Sequence, residues 1–229
     1  MDPVVSVVIP AFNEEKTIGL TLSRIHSTME SMELPYEIIV VDDGSTDRTR
    51  ECICCPTAVL LTNGRNQGKG YALRRGFRRA KGNIVLTMDA DGSHNPADIK
   101  NLLRPVLNGT EVVMGSRFTN GQGRKSTKRL HILGNCMINL LIRIVTRKRI
   151  TDSQTGFRAF RKKIIKQISI TSKGYQVETE LTVKALKNGN TVEEVPIDCT
   201  GRKNGYSHLR PLYDGVKILT TIVKSSVFP

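Results

Sequence analysis

The chain of 229 residues contains no tryptophan, and aromatic residues make up only 5% of it. Proteins that stack nucleic-acid bases need such side chains, and no RNA-binding signature stands in their place, so no nucleic-acid partner is expected. Acids are scarce too: 21 Asp and Glu stand against 35 Lys and Arg, a formal charge of +14. That excess favours an anionic partner such as a phosphate-bearing substrate or acidic lipid headgroups, with a merely basic, solvated surface as the alternative. Cysteine is limited to Cys52, Cys54, Cys55, Cys136 and Cys199. The Cys52-x-Cys54-Cys55 cluster lacks a second Cys/His pair at zinc-finger distance, which predicts reduced thiols in a reducing compartment. No uninterrupted apolar run approaches the ~18 residues of a membrane span. Asp2 and Pro3 lead straight into a strand pattern, without the basic region and cleavage site of a signal peptide. The expectation is a protein of the cytoplasm, peripheral on the cytoplasmic face of a membrane, in which the Asn108-Gly-Thr110 sequon has no consequence.

What is present is ordinary globular composition, 38% hydrophobic and 24% charged, on a length that suits one generous domain. "VVSVVIP" (Val4 to Pro10) is β-branched, as a strand buried on both faces of a parallel sheet requires. "NEEKTIGLTLSRIHSTME" follows, with acids expected in the first helical turn and Ile18, Leu22 and Ile25 at helix spacing. "YEIIVVDDGS" reads as a second strand, Asp47 to Cys54 as a short helix and "AVLLTN" as a third strand. "GKGYALRRGFRRAKG" reads as a basic helix and "NIVLTM" as a fourth strand. The alternation predicts an α/β fold with a mainly parallel sheet flanked by helices, and ligands at the carboxyl ends of its strands. Pro10-Ala11-Phe12, Asp42-Asp43 and Asp89-Ala90-Asp91 all fall there. After the "EVVMGSR" strand (Glu111 to Arg117) comes the Gly-rich basic loop "NGQGRKSTKR", then two amphipathic segments near 128–149 and 211–227. In the first, Lys128, His131, Asn135, Asn139, Arg143 and Thr146 recur at helical spacing among apolar residues. In the second, Lys217 and Lys224 oppose Leu212, Val216, Leu219 and Val223. Core helices with solvated faces and helices lying on a membrane surface both fit this pattern.

The segment "NGRNQGKGYAL" fails both phosphate-loop patterns. Asn63 stands where a Walker A loop needs its first glycine, and Leu73 where a dinucleotide fingerprint needs its third. It leaves a tight basic turn whose N–H groups suit an anion, or a plain strand–helix connection. The pair Asp89-x-Asp91 is sharper. Two like charges one residue apart at a strand end suit Mg²⁺ or Mn²⁺, the other coordination positions going to water and a diphosphate. A capped turn, with Asp91 or Ser93 capping a helix from Pro96, is the alternative. His94 reads as a surface histidine at the helix start rather than a ligand.

Eight motifs in order, "VVIPAFNEEKTI", "IIVVDDGSTDRT", "NQGKGYALRRGF", "MDADGSHNP", "VMGSRF", "DSQTGFRAF", "GYQVETEL" and "EVPIDCTGRKNGYSHL", closely resemble the inverting glycosyltransferases of family 2. Within that family they look most like the dolichyl-phosphate mannose and glucose synthases, from about Val5 to Leu209. The resemblance implies a single GT-A catalytic domain (a Rossmann-like nucleotide-diphospho-sugar transferase fold) over residues 1–229. It also implies a nucleotide-sugar donor (GDP-mannose or UDP-glucose), a Mg²⁺ or Mn²⁺ cofactor and a polyprenyl (dolichyl) phosphate acceptor. Carried over residue by residue, Pro10, Phe12 and Glu14 line the nucleoside pocket, and Asp42 and Asp43 hold base or ribose. Asp89 and Asp91 are the metal motif, Asp91 the direct ligand. Arg117 and Arg202 handle phosphates, with Arg129 a further acceptor-phosphate residue; Arg124, outside the carried-over positions, reads as a solvated charge. The family's "SKL" reads Ser207-His208-Leu209, so a fixed charge becomes titratable. Docking is expected through the amphipathic helices or a membrane-anchoring subunit.

The acceptor decides whether a base is needed. A hydroxyl acceptor, as in polysaccharide or lipid-headgroup synthesis, requires a carboxylate base, for which Asp152 and Glu178 are candidates. A phosphomonoester, with its second pKa near ~6, is already anionic at neutral pH and calls for arginines instead. The surrounding Arg117, Arg124, Arg129 and Arg202 favour the phosphate.

Overall fold

The computed structural model describes residues 4–119, 129–199 and 211–227. Its strands are β1 (Val5–Ala11), β2 (Tyr36–Asp42), β3 (Ala58–Thr62), β4 (Ile84–Thr87), β5 (Val112–Ser116), β6 (Arg158–Arg161) and β7 (Val192–Pro196). They form one sheet in the order β3-β2-β1-β4-β6-β5-β7. β6 runs antiparallel to both β4 and β5, and the remaining pairs are parallel. The helices are α1 (Ile18–Glu30), α2 (Lys69–Arg79), α3 (Ile99–Leu107), α4 (Arg129–Thr146), α5 (Lys162–Gln167), α6 (Val177–Lys187) and α7 (Pro211–Val227).

The β-branched strands are explained by two-sided burial. Val5, Val7 and Ile9 of β1 enter one core with Ile18, Leu22, Ile25 and Met29 of α1 and Ile99, Leu102, Leu103 and Val106 of α3. Val8 turns to the opposite core with Leu73 and Phe77 of α2 and Val177 and Leu181 of α6. Each fully buried Val or Ile contributes roughly 1.5–3 kcal/mol, so the sheet register is held from both faces. Strand order reverses between β1 and β4, and the crevice outside such a reversal is where a doubly wound sheet offers a ligand site. Asp42, Pro10 and Asp89 lie at the carboxyl ends of β2, β1 and β4, three adjacent strands.

Several local expectations are corrected. Asp47 to Cys54 is not a helix but a run of turns, because the Asp47 carboxylate accepts from Thr49 N at 3.0 Å and Thr49 Oγ1 at 2.5 Å and so competes with helical bonding. Glu14 and Glu15 precede α1 instead of filling its first turn. The 3₁₀ turn Pro96–Asp98 leading into α3 is capped by Asn95, whose side chain accepts from Ala97 N, and not by Asp91 or Ser93. His94 is buried, not a surface residue; its ring lies 5.2 Å from that of Phe157.

Candidate active site

The site is assembled from the carboxyl end of the sheet outward. Asp42 is buried and accepts from Arg50 Nε at 2.7 Å and Ser45 N at 3.1 Å. Asp43 accepts from Asn63 Nδ2 at 2.6 Å, Gln67 N at 3.0 Å and Gly68 N at 2.7 Å. The N–H groups of the Gly-rich turn thus hold an anion, but it is the protein's own carboxylate. Gly68 has φ +95°, and a Cβ there would lie 2.4 Å from the Lys173 carbonyl oxygen, so only glycine fits. Gly70 N donates to that same carbonyl at 2.7 Å. Together these contacts fix the first turn of α2 and aim Lys69 at the sheet edge.

Lys69 Nζ stands 2.5 Å from Asp89 Oδ1 and 2.6 Å from Glu178 Oε1. Burial works against the charged lysine, but the two carboxylates outweigh it and raise its pKa. Burial likewise opposes ionisation of Asp89, yet Lys69 overcomes it and lowers the carboxyl below its usual range. At Glu178 burial prevails, helped by the neighbouring Asp89 charge, and the pKa is raised. One cation between two acids therefore serves Asp89 first, leaving Glu178 the weaker acid. Gly156 presses on the same cluster, since a Cβ there would lie 2.6 Å from Asp89 Oδ2 and 2.8 Å from Lys69 Nζ. Its carbonyl accepts from Thr87 Oγ1 at 2.8 Å, which locks the loop onto β4. Asp91 is less confined; its Oδ1 accepts from Ser93 N at 3.0 Å.

At the end of β5, Arg117 forks onto the buried Asp152, Nε to Oδ2 at 2.6 Å and NH2 to Oδ1 at 2.8 Å. Arg158, fully buried, donates to the carbonyls of Ser153, Thr155 and Glu178 and to Thr182 Oγ1. That arginine ties the loop carrying Asp152 and Gly156 to the start of α6, where Glu178 sits. Burial lowers the His94 pKa, against the raising influence of Asp89 and Asp91, and so keeps the ring neutral.

Of the residues singled out in the sequence, Asp89, Asp91, Arg117, Asp152 and Glu178 lie at or beside this edge, with Pro10 near the end of β1 and Phe12 and Glu14 just past it. The Glu14 carboxylate accepts from Thr17 Oγ1 at 3.0 Å. Arg124 and Arg202, residues 207–209 and the side chain of Arg129 lie outside the described residues. Sequence reasoning missed Lys69, Gly156 and Arg158. The signal for Lys69 was its place in the Gly-rich turn; nothing in the sequence pairs it with Glu178. Among the described residues, no group of three or more His, Cys, Asp and Glu side chains converges to hold a metal. The chain offers the two carboxylates Asp89 and Asp91, a hard-oxygen donor set that suits Mg²⁺ or Mn²⁺ when a diphosphate and water complete the shell.

Away from this edge, α4 and α7 pack on α6 through Ile142, Ile218 and Ile222. Two residues of the polar stripe of α4 turn inward, Asn135 and Asn139 both donating to the Thr151 carbonyl, at 3.1 and 2.7 Å, while Arg143 is exposed. Ile138, Leu141, Ile142 and Val145 face the core, but a second apolar stripe faces out, with Leu133, Met137, Leu140 and Ile144 54–66% exposed, and Val216, Leu219 and Val223 of α7 are exposed as well. Among the described residues, no helix is long and apolar enough to cross a membrane.

Residues 6–169 match Glycosyl transferase family 2. Polyprenol monophosphomannose synthase of Mycolicibacterium smegmatis is 30% identical over 220 residues, covering 89% of this chain and 80% of its own. UDP-N-acetylglucosamine–dolichyl-phosphate N-acetylglucosaminyltransferase of Methanococcus voltae is 30% identical over 219 residues, 86% of this chain and 85% of its own. Among solved structures, glucosyl-3-phosphoglycerate synthase of Mycobacterium tuberculosis, bound to Mn²⁺, UDP and phosphoglyceric acid, aligns with a TM-score of 0.77 at 23% identity. The alignment covers 99% of this chain and 80% of that one, and the shared fold is GT-A. The family model's match over residues 6–169 and the 30%-identical relatives, on a chain whose doubly wound sheet carries paired carboxylates at its strand-order reversal, place the protein in glycosyl transferase family 2.

Proposed function

We propose that the protein transfers a hexose, with inversion, from a nucleotide-sugar to a polyprenyl (dolichyl) phosphate at the cytoplasmic face of a membrane. The observation that carries this reading is the state of the two acids able to serve as a base. Asp152 is engaged on both oxygens by Arg117, and Glu178 is buried against Lys69. A hydroxyl acceptor would need one of them free at the reacting atom, whereas a phosphate acceptor arrives ionised. The names of the two relatives, one a polyprenol-phosphate and the other a dolichyl-phosphate sugar transferase, support the same acceptor. Their sugars differ, so the donor is left to the assay.

In this reading Asp89 and Asp91 hold Mg²⁺ or Mn²⁺. When bound, the ion supplies positive charge against the nucleoside diphosphate as that group leaves. Pro10, Phe12, Glu14, Asp42 and Asp43 shape the nucleoside end of the crevice, Asp42 and Asp43 by fixing its walls. Arg117, held in its fork, meets the acceptor phosphate, assisted by Arg129, and Arg202 meets the donor phosphates. Residues 1–229 act as one catalytic domain. The outward apolar stripes of α4 and α7 rest on the bilayer surface or on a membrane-anchoring subunit, with the chain's +14 charge drawn to anionic headgroups.

The test offers purified protein GDP-mannose, UDP-glucose and UDP-N-acetylglucosamine in turn, radiolabelled in the sugar, with dolichyl phosphate and Mg²⁺ or Mn²⁺. Label entering an organic-extractable lipid, lost with EDTA and in Asp91→Ala, is the expected result. Donor hydrolysis without lipid labelling would reject the lipid acceptor and move the assignment to a hydroxyl acceptor.

A further inference from the structure

We propose that Lys69 and Glu178 are positioning residues that set how strongly the Asp89–Asp91 pair holds a cation, Glu178 acting on Asp89 through Lys69. The inference rests on the metal reading above and goes beyond it. A lysine is already a cation at the first carboxylate of the pair, 2.5 Å from Asp89 Oδ1. Gly156 closes against the other oxygen, so the Asp89 carboxylate is clamped from both sides. Glu178 is on the far side of the lysine, 2.6 Å from Nζ, and its other oxygen Oε2 is buried with no hydrogen-bond partner. Such an acid has one evident task, to draw the lysine and part of its charge away from Asp89.

The consequence is a graded site. Lys69 keeps the two carboxylates from gripping a divalent ion by themselves, so the ion enters with the negative charge of the diphosphate that accompanies it. Removing the lysine must tighten binding of the bare ion, and removing Glu178 must weaken it, because the lysine then bears wholly on Asp89. A role in folding alone would not move metal affinity in opposite directions at two partners of one ion pair. Opposite charges this close in a partly buried site interact strongly enough to make each shift about tenfold or more.

The measurement is binding of Mn²⁺ alone, followed by the electron paramagnetic resonance signal of the free ion, with melting curves alongside. Lys69→Met is expected to bind about tenfold more tightly than the unmodified protein, and Glu178→Gln about tenfold more weakly. Lys69→Arg, which keeps the charge, stays near the starting affinity. The double variant K69M/E178Q removes both buried charges, lies between the unmodified protein and K69M, and serves where K69M fails to fold. If K69M or the double variant binds no more tightly, or if E178Q leaves affinity unchanged, the proposal is overturned while the metal site stands. Saturable binding absent from every variant, including those lacking Lys69, removes the metal reading together with it.

Discussion

Replacing Gly156 with alanine separates the position of the reacting groups from the stability of the fold. The added Cβ would lie 2.6 Å from Asp89 Oδ2, 2.8 Å from Oδ1 and 2.8 Å from Lys69 Nζ. A relaxed contact needs about 3.4 Å or more, so the carboxylate must retreat by roughly 0.8 Å. All three nearest atoms belong to side-chain ends, so no backbone is forced aside. The stability cost should fall at the low end of overpacking, about 1 kcal/mol, which for a chain of this size is roughly 2–4 °C in melting temperature. The functional cost should be far larger. Lys69 cannot retreat freely, being held by Glu178, and a displacement near 1 Å at a reacting group costs about 10²-fold in rate. Sugar transfer at saturating donor and metal, measured beside a melting curve, checks both numbers. G156A retaining activity within about threefold of the parent would refute the claim that the Asp89 position matters to this degree. A melting temperature lowered by more than about 10 °C would refute the claim that only side-chain ends yield.

Asp152→Asn strips the charge from the Arg117 fork and should cost about 2–3 kcal/mol in denaturant unfolding, below the full penalty of a buried pair because Arg117 retains some solvent contact. Acceptor KM should rise as the guanidinium loses its orientation, and an unchanged KM would count against Arg117 as the acceptor residue. Burial and the hydrogen bond to Glu30 push the Tyr36 hydroxyl up to about 12. The folded state thus binds that proton more tightly than the unfolded chain, so its stabilising effect is whole below pH ~10 and fades as pH rises through the folded value. Absorbance titration of the phenolate should show Glu30→Gln bringing the value down; no change would discard Glu30 as a cause. The pair Leu133→Asp and Ile144→Asp on the outer face of α4 should leave the melting temperature nearly unchanged while lowering flotation with anionic vesicles at least tenfold, each lost apolar contact being worth about 1.5 kcal/mol or more. Undiminished flotation would remove α4 from the docking surface.

The first five strands and the helices α1, α2, α4 and α7 were readable in the sequence, the strands because burial leaves nearly unbroken apolar, largely β-branched runs and the helices because their apolar residues recur at helical spacing. β6 was not readable. Its four residues, Arg158–Arg161, begin and end in arginine, and Arg158 is buried only because three carbonyls and a threonine receive it. The 47–54 turns were missed because a local side-chain bond at Asp47 overrode helix-like spacing. Asp89 and Asp91 stand out because like charges adjoin at a strand end. Lys69 did not, since its meaning depends on Glu178, which neighbours it only in the folded chain. Nor did the sequence say which face of α4 turns inward. Asn135 and Asn139 resemble a solvated stripe until the Thr151 carbonyl between them is seen.

The reversed direction of β6 carries a consequence for the order in which the protein acquires its site. Because β6 runs against β4, the loop before it arrives at the edge where β4 ends, and Gly156 meets Thr87 across 69 residues of chain. β1 to β4 all lie before residue 88 and leave the ribosome first, so Asp89 and Lys69 are in place before Gly156 and Glu178 have been made. A nascent chain stopped before β6 would have an exposed β4 edge and an Asp89 without its clamp. Formation of the catalytic edge is therefore a late, topology-limited event, and the slow phase of refolding should report insertion of β6 between β4 and β5.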